Sequence, residues 1–195
     1  NATNYDETAN VDDGSCEYAT VQIGHQVWMR QNLKATHYQN GDSIEYYDYD
    51  NDPSNSEIYG RMYDWHTVVD DRGVCPEGFQ VPNDDEFSEL TDYLGGEDVA
   101  GGKMKQEGLE YWNSPNEGAT NESGFTALPA GYRLSNGGGV YYDIGNMGYF
   151  WSTLESDEFY AWTRTMYHNN ILAYRSINHK DNAFSIRCLS DELQN

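Results

Sequence analysis

A chain of 195 residues and 22.2 kDa is long enough for one full-sized domain with a small appendage and too short for two large ones. Its 11 basic and 33 acidic residues leave a formal charge of −22, which repels nucleic acid phosphates and anionic membrane surfaces and leaves neutral glycans, proteins and cations as the natural partners. The apolar fraction is only 37%, but 17 Tyr, 6 Phe and 5 Trp allow a core built from rings.

The first stretch, "NATNYDETANVDDGSCEY", is poor in aliphatics and rich in Asn and Asp, and it reads as a coil held by a cation or a disulfide. From Thr20 the pattern changes: Val21 and Ile23 alternate, Gly24-His25 makes a turn, and Val27 and Met29 alternate again, which predicts a short hairpin. Residues 40 to 57 read as a polar, Asp-rich loop. In "YGRMYDWHTVV" the spacing of Met62, Trp65 and Val69 predicts a helix. A second helix is predicted in "VPNDDEFSELTDYLGG", with Asn83 as N-cap, Glu86 completing a capping box, Phe87, Leu90 and Leu94 as its stripe and Gly95-Gly96 as its stop. The Gly-rich stretch that follows predicts long loops. After Phe125, residues 149–153, 159–167, 171–177 and 183–189 predict a four-stranded antiparallel meander. The result is one α+β domain over residues 20–195, preceded at 1–19 by the end of a small Asp-rich unit.

Three cysteines, Cys16, Cys75 and Cys188, lack any CxxC or zinc spacing and point to an oxidising compartment. One pair and one orphan is the simplest arithmetic, and the spacing leaves open which two pair. No stretch approaches the roughly 20 apolar residues of a membrane span, and no basic-then-apolar leader is present. The chain does not start with Met, so a segment of a longer secreted precursor is expected.

Six colinear motifs, "VQIGHQVWMRQNL", "YGRMYDW", "CPEGFQVPNDDEF", "GFTALPAGYR", "GYFWSTLES" and "FSIRCL", resemble the Fibrobacter succinogenes major paralogous domain, a family of bacterial surface and secreted domains. That family is similar to the C-type lectin-like fold, so the resemblance implies two helices, long irregular loops and a ligand-presenting C-terminal sheet. It also implies a Cys75–Cys188 disulfide, which by loop closure would stabilise the fold by roughly 4 to 5 kcal/mol. It places the Trp of "WS", Trp151, at a recurrent structural position. The first eighteen residues resemble a different unit, the "NATNY…DDGSC" repeat found beside secreted domains of Bacteroidetes proteins, in which a Cys upstream pairs with the one matching Cys16.

Binding residues are then expected at the variable-looking positions of the late strands and turns: Tyr141, Tyr142, Glu155, Tyr160, Trp162, Tyr167, His168, Asn170, Tyr174 and Arg175. Tyr and Trp suit a recognition surface because a flat ring stacks on a sugar or protein face while its polar edge hydrogen-bonds. The expected ligand is a glycan or a cell-surface protein. Calcium is the expected cofactor, at Asp48, Asp50, Asp52, Asn55 and Glu57 and at Asp6, Asn10, Asp12 and Asp13, since clustered oxygen ligands suit hard cations. An acidic solvated loop is the plain alternative, and no EF-hand spacing or Glu-Pro-Asn triplet is present.

Catalysis is poorly marked. The five histidines show no HxH or HExxH spacing, and no GxSxG occurs. Glu155, Asp157 and Glu158 offer a carboxylate pair for glycoside hydrolysis, but an acidic turn between strands explains them as well. The formylglycine-generating relatives of the fold need a reactive cysteine pair, which the implied disulfide uses up. The expectation is thus a non-catalytic, secreted or cell-surface binding domain, with a calcium-stiffened adhesin module or a carbohydrate-active hydrolase as alternatives.

Overall fold

In a computed structural model, residues 18–136 and 138–191 are described, so Asp6, Asn10, Asp12, Asp13 and Cys16 lie outside the described residues. The hairpin forms as its alternation dictates: β1 (Thr20–Ile23) and β2 (Gln26–Met29) pair in register across the two-residue Gly24-His25 turn. Its main anchor is Trp28, fully buried against Phe87 and Phe125.

The Asp-rich stretch read as a loop contains a 3₁₀ turn, Tyr49–Asn51, and the helix α1 (Pro53–Tyr59). Asp52 caps α1 by accepting from the Ser54 amide, and Pro53 supplies a pre-set first turn. The helix predicted around Met62 is corrected. Met62–Tyr63 is the strand β3, and only Trp65–Val68 is helical (α2), started by Asp64, whose side chain accepts from the Thr67 amide. Pairing of β3 with a late strand overrides the helical spacing there.

After β4 (Phe79–Gln80) comes α3 (Asp84–Tyr93), with the capping box Asn83/Glu86 in place and Phe87 and Leu90 fully buried. A further helix, α4 (Glu97–Met104), lies within the stretch read as loop. Its glycines are there for packing: a Cβ on Gly101 would sit 2.1 Å from the Leu172 carbonyl, and one on Gly102 would sit 2.6 Å from that of Gly118. Glycine lets two loops lie directly on the helix backbone.

The remaining strands are β5 (Tyr132–Leu134), β6 (Val140–Tyr142), β7 (Met147–Glu155), β8 (Tyr160–Tyr167), β9 (Tyr174–His179), β10 (Phe184–Ser185) and β11 (Leu189–Ser190). β7, β8 and β9 form an antiparallel meander. The fourth strand of the predicted meander does not follow. Residues 183–189 cross to the other side of β7, where β10 pairs parallel to it at Ser185 and Phe150, and β11 joins the first hairpin. Every residue from Asn182 to Leu189 is buried, and a continuously buried run carries no alternation that would mark its place in a sheet. The sheet orders are β1-β2-β11-β4, β3-β10-β7-β8-β9 and β5-β6.

The large sheet has a core on each side. Phe150 and Met166 face Phe87, Leu90, Phe125 and Trp28, while Trp151 and Ala161 face Phe184, Tyr63 and Trp65. Trp151 is fully buried, with its indole donating to the Tyr63 carbonyl at 2.9 Å, so its structural assignment holds. Cys75 and Cys188 are bonded, Cα atoms 6.0 Å apart, closing a separation of 113 residues. Beside this link Arg187 is fully buried over the Phe125 ring, donating to Asn32 and to the carbonyls of Met29, Phe125 and Thr126. Among the described residues no helix is long and apolar enough to cross a membrane.

Candidate ligand-binding face

In a strand pair, residues directly opposite one another share a face. The pairings Tyr149↔Thr165↔Tyr174 and Trp151↔Thr163↔Ser176 therefore put these residues on one side of the sheet, and Phe150↔Arg164↔Arg175 and Trp162↔Ile177 on the other. The sequence-predicted binding residues divide between the two sides.

On the first side five tyrosines form a continuous ribbon, one from each of five strands. Tyr142 of β6 stacks on Tyr132 of β5 with centroids 5.6 Å apart, and Tyr132 meets Tyr149 of β7 edge-on at 5.3 Å. The Tyr149 hydroxyl donates to the Met147 sulfur at 3.7 Å, and Tyr167 of β8, two residues on from Thr165 opposite Tyr149 and so on the same face, meets Tyr174 of β9 edge-on at 5.2 Å. Edge-to-face rings in series gain from their quadrupoles as well as from burial. Both ends of the ribbon are open to solvent, Tyr142 at 41% and Tyr174 at 36% exposure.

Gly131 makes the join between β5 and β7. It lies opposite Gly148 in a parallel bridge at φ 68°, where a Cβ would fall 2.2 Å from the Tyr142 carbonyl. Burial, and after it the neighbouring phenols and the Asp143 carboxylate, hold the Tyr149 phenol well above its ordinary pKa, and burial leads the same upward shift at Tyr132 and Tyr167. At neutral pH the three inner phenols of the ribbon are therefore uncharged. Thr165, in the row between Tyr149 and Tyr174, is fully buried, and its hydroxyl has no hydrogen-bond partner among the described residues.

The other predicted residues are placed elsewhere. Trp162 and Arg175 lie on the α3 side, where Arg175 covers the Trp162 ring and bonds Asp84. Tyr160 stands at the β7–β8 tip, edge-on to His179 at 5.6 Å. Glu155 pairs with Lys180 at 2.8 Å, and Asp157 accepts from the amides of Phe159 and Tyr160, so the acidic turn is capped by its own carboxylate. Tyr141 turns away from Tyr142, its hydroxyl donating to Asn51. His168 bonds the Ser114 carbonyl, and the Asn170 side chain accepts from the Leu172 amide. The loop carrying both is held by Lys105, whose buried ammonium donates to the carbonyls of Glu117, Tyr167 and Asn170.

The acidic residues expected to bind calcium are dispersed over protein partners. Asp48 holds Ser56 and Arg61, Asp52 caps α1, the Asn55 amide donates to the Tyr49 carbonyl, and Glu57 pairs with Lys34. Asp50 lies in the 3₁₀ turn at φ 55°. Among the described residues no three His, Cys, Asp or Glu side chains converge as a metal site.

Tyr132 and Tyr149 of the ribbon escape sequence reasoning. Tyr149 is legible only as the first residue of the predicted strand 149–153, and Tyr132 lies in "PAGYRL", where nothing marks a strand. The signal that would have found them is strand parity counted jointly along β5, β7 and β8.

No curated protein and no solved structure matches the chain. The family model of the Fibrobacter succinogenes major domain matches residues 21–190, nearly the whole of the described fold. The chain belongs to the Fibrobacter succinogenes major domain family.

Proposed function

We propose that this protein is a non-catalytic extracellular binding domain of C-type lectin-like fold, recognising a glycan through the tyrosine-lined side of its C-terminal sheet. The observation that carries this is the ribbon itself: five strands each contribute one tyrosine to a single uncharged strip, open at Tyr142 and Tyr174. Rings of this kind stack on the apolar faces of sugars and offer hydroxyls to their edges, at small entropic cost because each ring is already packed against its neighbour. The disulfide supports a secreted or cell-surface location.

A glycan array probed with the folded protein, with calcium and again with chelator, tests this. Binding by the wild type that falls about tenfold or more in Tyr142→Ala and Tyr174→Ala, with unchanged Tm, is the expected result. A blank array from a folded sample would overturn glycan recognition and turn the search to a protein partner. Binding that survives both substitutions would place the site elsewhere.

A further inference from the structure

The two sides of the large sheet differ in charge. Arg164 and Arg175 both lie on the α3 side, bonded to Asp84. The opposite side presents Tyr132, Tyr142, Tyr149, Tyr167 and Tyr174 with Thr165 and Ser176 beside them, all uncharged. The basic groups near its margins are spent. Arg133 alternates to the other face of β5 and stacks on Tyr47 at 3.9 Å, and Lys105 is fully buried on three carbonyls.

Among the described residues, the charge that remains at the ribbon is Asp143, which directly follows Tyr142 and is only partly buried. Its backbone φ of 61° turns the chain from β6 back toward β7, and its carbonyl accepts from the amides of Asn146 and Met147. Its backbone packs against Gly131, the residue before Tyr132, where a Cβ would fall 2.9 Å from the Asp143 carbonyl carbon, and its carboxylate adds to the upward shift that burial gives the Tyr132, Tyr149 and Tyr167 phenols. Aromatic faces beside a carboxylate, with no opposing cation, attract an ammonium group twice, through the ring quadrupole and through direct Coulomb attraction. The −22 charge of the whole chain adds a field of the same sign.

We infer that the tyrosine ribbon and Asp143 together select a glycan bearing free amino groups over its N-acylated and acidic counterparts. This rests on the ribbon being the glycan site, and the two statements fail separately. The ammonium sits against the phenol faces near Asp143, and the sugar ring stacks toward an open end. An N-acetyl group loses the charge; a uronate carboxylate is repelled by Asp143.

The test is calorimetric titration of the protein with a chitosan tetrasaccharide, its fully N-acetylated counterpart and a galacturonan tetrasaccharide, at low and high salt. Asp143→Asn and Tyr174→Ala are titrated in parallel. Asn tolerates the left-handed backbone at this position, so the first variant removes charge with little strain. The expected result is about tenfold tighter binding of the amine form than of the N-acetyl form, weakening with salt, and no binding of the uronate. Asp143→Asn brings amine and N-acetyl forms to within about threefold of each other, whereas Tyr174→Ala weakens both together. Equal affinity for amine and N-acetyl forms, with both lost in Tyr174→Ala, overturns the charge selection and leaves the ribbon as the site. Absence of binding by all three tetrasaccharides overturns both.

Discussion

The guanidinium carbon of Arg175 lies 3.3 Å above the ring centre of Trp162, while the Nε of the same residue donates to Asp84 at 2.7 Å. Asp84 also holds Arg164 at 2.6 Å, so one nearly buried carboxylate at the start of α3 joins that helix to two strands of the sheet. Arg175, expected from the sequence as a ligand contact, is thus itself a member of this ion-pair network, with the Trp162 ring beneath its guanidinium.

Asp84→Ala is expected to destabilise the domain by about 3 to 5 kcal/mol, because it takes the close carboxylate from the fully buried Arg164, leaving it the Ser88 hydroxyl, the residue-84 carbonyl and Glu97 at 3.9 Å. Arg175→Ala, with a half-exposed side chain and a second arginine still on Asp84, costs about 1 kcal/mol. Urea denaturation of the two variants checks the order. Equal losses would show that the network is not centred on Asp84.

Arg187 tests a different kind of burial, a cation with no carboxylate among its hydrogen-bond partners. Its donors satisfy Asn32 and three backbone carbonyls at the point where the first hairpin, the 125–126 segment and the last strands meet. Arg187→Met is expected to cost about 3 kcal/mol or more, since the apolar chain leaves those acceptors buried and unpaired. Arg187→Lys keeps the charge but loses the fork, and it too is expected to melt well below wild type. A Tm unchanged in Arg187→Met would show that water replaces the guanidinium.

Stability should vary with pH on the alkaline side in two opposed limbs. Burial pushes Lys105 down to about 8 from an ordinary 10.5, so between those values the unfolded chain holds a proton that the folded one has released, and stability rises with pH. Burial pushes the Tyr63 and Tyr149 phenols above their ordinary 10.0, so their contribution is present below that value and is lost as pH rises past it. Calorimetric Tm is expected to rise or hold from about pH 8 to about pH 10 and then fall, with tyrosinate absorbance appearing as the protein unfolds. Lys105→Met should remove the rise that begins near pH 8, leaving that of buried Arg187, pushed down to about 9, and the fall carried by the phenols above 10. A wild-type Tm falling steadily from pH 8 would contradict the Lys105 assignment.

Replacing both Cys75 and Cys188 by Ala should lower stability by roughly 4 to 5 kcal/mol through the freed loop. The measurement is the denaturation midpoint against wild type under oxidising conditions; a loss below about 1 kcal/mol would mean that the unfolded chain is already compact.

Local signals were the most legible in the sequence. The Gly24-His25 hairpin and the Asn83/Glu86 capping box each depend on residues within a few positions of one another, and both stand as read. The helix α4 was hidden because Gly101 and Gly102 serve loops that approach from residues 118 and 172, a distant cause that leaves a local trace resembling a loop. Met62 carries helical spacing yet joins a sheet through a strand more than a hundred residues later. Of the ribbon, Tyr142, Tyr167 and Tyr174 were visible as aromatic residues at late strands. Their separation from Trp162 and Arg175 follows from register, which only the paired structure defines.

The final strands are internal to both large sheets: β10 lies between β3 and β7, and β11 between β2 and β4. Neither sheet can be completed until nearly the last described residues have been synthesised, and the disulfide needs Cys188 from the same segment. Long-range closure of this kind slows folding and delays the commitment of the chain. The hairpins and helices can therefore form early, whereas both sheets close only once residues 184–190 are in place to enter them.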